Sequence, residues 1–365
     1  MRKWLIGFGL AAVSVIPALA FAQEATPAVE LEPWVCPEGF EGQTLSVYNW
    51  STYVAENTIS NFEAACGVTV NYDVYGSNED MLARLRQGNP GYDITVPTDN
   101  TVEIMIGEGL LEPIDHANVP NLVHITETLL DQPFDIGNVY SIPYQWGTLG
   151  LGYNVESVGV IESWDDVWNH DGPVAWQEDP RAMMGVALNN LGYDVNTSNP
   201  DEIAEARDYL IANGSNVVAF AADDGQTLLS RGDVDIAVEY NGDIFQIIAD
   251  CECDDFGYAV PVEGAVFWMD NLVIPAGAPN HALAEAFIDY ILDPQVGADI
   301  SNYTAFGSPN QTAIDLGLID EELLNNPGIY PPPEIMENLF SIVAVPEAEV
   351  EFSYAWDEIR VALGG

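Results

Sequence analysis

The sequence predicts an α/β fold built on a parallel, doubly wound sheet. Three observations carry that prediction: a βαβαβ order across residues 44–96, a second α/β run after Ser163, and a nearly unbroken apolar strand at 266–274 bounded by turn signals. The first strand alternates over 44–48, and Asn49-Trp50-Ser51-Thr52-Tyr53 makes a turn expected to lead into a helix reaching about Ala65. The next strand is 68–74, after which Ser77 caps a helix with Asp80 three residues on. A third strand, 92–96, stops at Pro97. In such a sheet the ligand crevice lies beyond the carboxyl ends of the strands, where Trp50-Ser51-Thr52 and Thr98-Asp99-Asn100 both fall.

Further along, 140–147 leads into the glycine-spaced strand 149–154, which reads as a crossing between domains. The second unit opens at Ser163-Trp164-Asp165-Asp166. It continues with a helix starting near Pro180, a helix from Asp201 to about Asn213 and a strand at 234–238. After the apolar strand come a helix at 282–292, Pro331-Pro332-Pro333 and a last helix from about Glu349. There is no short-period repeat and no low-complexity tract; the prolines read as helix stops and turns.

The chain opens on Met1-Arg2-Lys3, runs apolar to Ala20 and reaches Ala20-Phe21-Ala22 before Gln23, the layout of a secretory leader cleaved near Ala22. Its apolar stretch is shorter than the ~20 residues a helical span needs. Cys36 lies too far on to be a lipidated first residue. The chain that remains, roughly 340 residues, is long enough for two globular domains.

The sequence has 58 acidic and 8 basic residues. Arg2 and Lys3 leave with the leader, and no lysine survives. That balance argues against nucleic acid or an anionic membrane as partner and suits attraction of cations; it is also the composition of a protein adapted to high salt. The four cysteines, Cys36, Cys66, Cys251 and Cys253, allow three pairings in an oxidising compartment. The preferred set joins Cys36 to Cys66 and closes Cys251-Glu252-Cys253 as a tight loop. Cys-x-Cys beside acids lacks zinc-site spacing, and His116, His124, His170 and His281 are scattered, so neither metal nor cofactor is expected. No Ser-His-Asp or Cys-His constellation can be placed at a strand end, which weighs against an enzyme.

One residue breaks the apolar strand. Asp270 follows Trp268 by two, so both side chains point to one face. A carboxylate there needs a partner: a turn, an arginine, or a cation held between the acid and the indole face.

In order and spacing, several segments resemble the periplasmic spermidine/putrescine-binding proteins of ABC importers. They are Tyr48-Asn49-Trp50-Ser51-Thr52-Tyr53, Ser77-Asn78-Glu79, Tyr92-Asp93-Ile94-Thr95-Val96-Pro97 and Ser141-Ile142-Pro143-Tyr144-Gln145-Trp146-Gly147. Phe267-Trp268-Met269-Asp270 and Asn326-Pro327-Gly328-Ile329-Tyr330-Pro331-Pro332 complete the set. The resemblance implies a bilobal periplasmic-binding-protein fold with one ligand in the cleft and a monomer that serves a membrane permease. By that analogy 1–22 is the signal peptide and 23–43 an amino-terminal extension. Lobe one takes 44–147 plus 271–314, and lobe two takes 148–270 plus 315–365. It further implies aromatic walls at Trp50, Tyr53, Tyr240 and Trp268, hydroxyl contacts at Ser51 and Thr98, and carboxylates at Asp179, Asp243 and Asp270.

The chain also departs from that family. Thr52 and Ala182 stand where acids are usual, and Phe306 replaces a tyrosine of the site. Three charged centres would then be poorly matched, so a putrescine-like diamine is expected over spermidine. A zwitterion with its carboxylate at a helix start near Ser51-Thr52, or at Arg181, is the alternative.

Overall fold

The computed structural model describes residues 32–222, 224–251 and 253–365. The expected leader and its cleavage point lie outside them. The strands are β1 (Thr44–Asn49), β2 (Thr69–Val74), β3 (Ile94–Thr95), β4 (Leu111–Glu112), β5 (Ser141–Asn154), β6 (Val174–Gln177), β7 (Val217–Ala221), β8 (Ile236–Tyr240), β9 (Phe256–Ala259) and β10 (Val266–Pro275). They form one sheet in the order β2-β1-β3-β10-β5-β8-β6-β7, with β4 pairing β10 and β9 pairing β5.

Two parallel trios flank a pair of long strands. β2-β1-β3 and β8-β6-β7 are each parallel, whereas β10 and β5 run antiparallel to each other and to the trio beside them. β3 meets the carboxyl half of β10 at Val273, and β8 meets the carboxyl half of β5 across Leu149–Tyr153. The trios are therefore offset along the long strands and run in opposite senses. Their carboxyl ends point toward each other, and that is what creates a cleft.

Each trio has its own apolar core. Leu45, Phe62, Ile94, Ile142, Leu272 and Phe287 belong to one; Leu151, Trp164, Trp176, Met183, Ile236 and Phe352 belong to the other. The two amphipathic helices over the second sheet half, Pro180–Leu191 and Pro200–Asn213, are joined by the last helix, Glu349–Leu363.

Local signals account for most boundaries. Ser77 Oγ accepts the Asp80 N–H at 3.2 Å to start the helix Asn78–Arg86, and Ser163 with Asp166 forms a full capping box before Trp164–Trp168. β5 is one strand rather than two segments, because its glycines are required by close approaches. A Cβ at Gly147 would lie 2.7 Å from the Trp268 ring, and one at Gly150 would lie 2.5 Å from the Ala259 carbonyl.

One expected element is displaced. The helix after β1 does not start at the Ser51-Thr52 turn but at Thr58, behind Asn57, and runs Thr58–Cys66. Thr52 sits in the left-handed region at φ 46°, turning the chain so that Tyr53 is buried. The disulfides pair Cys36 with Cys66 and Cys251 with Cys253. The first closes a long loop onto that helix, for which a chain-entropy estimate gives about 3–4 kcal/mol. No helix among the described residues is long and apolar enough to cross a membrane.

Candidate functional site

Both trios deliver their carboxyl ends to one cavity of about 700 Å3, open mouth included. After β1 come Trp50, Ser51 and Tyr53; after β3, Thr98; after β6, Asp179; at the end of β8, Tyr240 and Asp243. The middle of β10 supplies Trp268 and Asp270, and Phe306 follows the helix Pro294–Thr304. All ten candidate residues line this single cavity. Asn78, Asp99 and Asn100 also line it; the sequence placed Asp99 and Asn100 at the crevice and Asn78 in a motif but gave none of them a role, and Ala182, Phe267 and Ile342 add apolar surface.

The aromatic walls are built edge to face. Trp268 packs on Tyr240 at 5.5 Å and on Phe306 at 5.2 Å, and Phe306 packs on Tyr53 at 5.3 Å between ring centroids. Trp50 is held by Nε1–H to the Val96 carbonyl at 2.9 Å and by the Tyr75 ring at 4.5 Å. Two details lock this box. The Tyr144 hydroxyl donates to the Tyr53 carbonyl, and Gly242 lets the Phe306 ring lie where any Cβ would be 2.6 Å away. Such a box offers several ring faces to a cation and apolar surface to an alkyl chain.

The acids stand between the rings. Asp270 is 4% exposed, and burial pushes its carboxyl up to about 7, with the Thr98 and Tyr53 hydroxyls pulling partly back. Thr98 is itself oriented by Asn78, whose Nδ2 donates to Oγ1 at 2.9 Å and whose Oδ1 accepts the Thr98 N–H at 3.2 Å. That arrangement frees the Thr98 hydroxyl proton for Asp270.

Asp179 caps the helix Pro180–Leu191 by accepting the Ala182 N–H at 2.9 Å, and burial raises its carboxyl as well. Asp243 is buried in the first turn of Asn241–Cys251. Glu79 is exposed and off the cavity wall; crowding by the surrounding protein, and next the Asp179 charge, raise its carboxyl above the usual range.

Three residues lining this cavity carry a buried polar atom with no hydrogen-bond partner: Asp270 Oδ1, Tyr53 Oη and Trp268 Nε1. Tyr53 faces Asp270 without closing a bond of normal geometry. Unpaired buried groups cost about 1–3 kcal/mol each, so their convergence marks a place where a guest completes the network. No lysine, arginine or histidine lines the cavity. Among the described residues no group of three or more His, Cys, Asp or Glu side chains is placed to hold a metal.

The alternative zwitterion geometry loses its anion subsites. Ser51-Thr52 is no helix start, and Thr52 is exposed and off the cavity. Arg181 is buried, pairs with Glu349 at 2.6 Å and lies over the Phe352 ring at 4.2 Å.

The model of the bacterial extracellular solute-binding proteins matches residues 57–329. The chain belongs to that family. It is 32% identical to a putrescine-binding periplasmic protein of Pseudomonas aeruginosa over 341 residues, covering 88% of this chain and 92% of the relative. It is 34% identical to the spermidine/putrescine-binding periplasmic protein of Escherichia coli over 303 residues, covering 82% and 86%. Among solved structures it superposes on the spermidine/putrescine ABC transporter substrate-binding protein of Streptococcus pneumoniae with a TM-score of 0.75 and 31% identity, covering 88% of this chain and 100% of that one. The fold of this solute-binding protein is thus the bilobal one of periplasmic binding proteins, and the family consists of binding proteins rather than enzymes.

Proposed function

We propose that this solute-binding protein captures a polyamine in the cleft, a putrescine-like diamine in preference to spermidine, and delivers it to an ABC importer. The observation that carries the reading is the unpartnered Oδ1 of Asp270, buried among aromatic rings in a cavity lined by acids and by no cation. An alkyl diammonium is the complement: charge-assisted bonds at each end and methylenes against the rings. Relatives named for binding putrescine, spermidine, cadaverine or agmatine agree with an amine. Preference for two charges rests on Ala182, which brings a methyl to the wall, on the exposed Thr52, and on Phe306, which brings no hydroxyl.

In this reading lobe one is 44–147 plus 271–314 and lobe two is 148–270 plus 315–365, with Asp270 and Trp268 where the long strands cross. When ionised, Asp270 on one side and Asp179 and Asp243 on the other repel in an empty closed cleft; two charges ~6 Å apart at an effective dielectric of ~20 repel by about 3 kcal/mol. A bound diamine cancels that repulsion and bonds both sides, which is the differential affinity that closure requires. The mature chain then works as a periplasmic monomer, after cleavage near Ala22, and presents its closed form to the inner-membrane permease.

Titration calorimetry with putrescine, spermidine and an ω-amino acid tests the reading. Putrescine is expected to bind more tightly than spermidine, and the ω-amino acid to give no heat. Tighter spermidine binding would reverse the preference, and no heat with any amine would remove the function.

A further inference from the structure

We propose that Asp99 is a second carboxylate for the ammonium held by Asp270, and that capture of a diamine expels a proton from this acid pair. The inference rests on the amine-binding reading above and deepens it.

Asp99 opens the helix Asp99–Glu108 directly after Thr98, and the Thr98 backbone bridges to Asp270 on β10. The two acids are therefore brought side by side by strand pairing. Asp99 lines the same cavity and is 8% exposed. Its Oδ1 accepts the Asn100 N–H at 2.8 Å, a contact that fixes the carboxyl at the cavity wall. Beside the acids, Trp268 Nε1 is buried and unpartnered on a residue lining that cavity, and Tyr53 Oη, which faces Asp270, closes no bond of normal geometry, so the location already lacks a polar group. A single ammonium carries three donors and can satisfy two carboxylates at once.

Asp99 therefore strengthens one end of the ligand and does not create a third charged centre. The diamine preference stands with it.

The electrostatics agree. Burial, and then the nearby Asp270 charge, push Asp99 up to about 8, while Asp270 lies at about 7. The groups facing Asp270 from other elements are Tyr53, Tyr75, Tyr144 and Tyr240, all held well above the usual tyrosine value by burial first, so they stay neutral. Glu103 on Asp99's own helix adds negative charge, as do Asp179 and Asp243 across the cavity. No positive group lines the cavity, and the nearest one, Arg181 beside Asp179, is itself paired with Glu349. Near neutral pH the empty pair therefore retains protons that an arriving ammonium displaces, and affinity must rise with pH over 6–8.

Calorimetry of the full mature chain with putrescine at pH 7, in buffers of low and high ionisation enthalpy, reads the protons released. About one is expected, and the association constant should fall roughly tenfold per proton for each pH unit between 8 and 6. Asp99→Asn keeps the Asn100 contact; it should lose most of the proton release, flatten the pH profile and weaken binding at pH 8 by about tenfold or more. Binding by the wild type with equal heats in both buffers would overturn the inference and leave the amine reading intact. Undiminished proton release in Asp99→Asn would overturn the role of Asp99. A wild type that binds no amine would remove both.

Discussion

Asp270→Asn is expected to abolish useful amine binding while leaving the empty protein at least as stable as before. The substitution keeps the shape but removes the charge of a buried group that an ammonium would pair, and such losses run to about 2–5 kcal/mol, roughly 30-fold to several thousand-fold in Kd. Stability should move the other way. Because the Asp270 carboxyl in the folded chain lies near 7, above its ordinary value, its contribution to stability is complete at low pH and fades as pH rises through 7. The neutral amide has no such loss, so its melting temperature at pH 8 should equal or exceed that of the wild type. Calorimetry and thermal melts on the same samples read both effects; retained putrescine affinity would place the ligand elsewhere.

Trp268→Ala should damage both fold and binding. The indole is 6% exposed, is wedged between Tyr240 and Phe306, and belongs to the core over the first trio. Truncating a buried tryptophan costs about 3–5 kcal/mol, and the same change opens the wall that would carry the ligand's methylenes. Trp268→Phe separates the two contributions, since it keeps much of the wall but drops Nε1, one of the three unpartnered atoms. Its melting temperature should fall less than that of the alanine variant. Unchanged melting and affinity in Trp268→Ala would show that the indole neither packs nor binds as described.

What was legible in the sequence depended on how local the cause was. A period of two places Trp268 and Asp270 on one face, and β10 puts both in the cavity. The position of Trp50 and Thr98 beyond strand ends follows from the order of elements alone. Asp99 was placed at the crevice as part of Thr98-Asp99-Asn100 but given no role, because position beyond a strand end does not show which acid it lies beside. The pairing of Thr98 with Asp270, a contact across 172 positions of chain, is what sets it beside that acid. Asn78 was quoted for its place in a motif, yet its task of orienting Thr98 needs the two loops to be adjacent. β6 was missed because it is buried on both faces and so shows no alternation over its four residues, and β7 was not read as a strand either. The start of the helix after β1 was misplaced because the turn at 49–53 was read as leading straight into it, whereas Tyr53 is buried against Tyr144 and Phe306 and the helix starts only at Thr58.

A crystal structure of the mature chain with putrescine tests the central claim most directly. The account predicts one diamine in the cavity, with one ammonium within hydrogen-bond distance of Asp270 and its methylenes against Trp268 and Phe306. A diamine bound outside the cavity, or one seated in it with Asp270 Oδ1 still unpartnered, would contradict it.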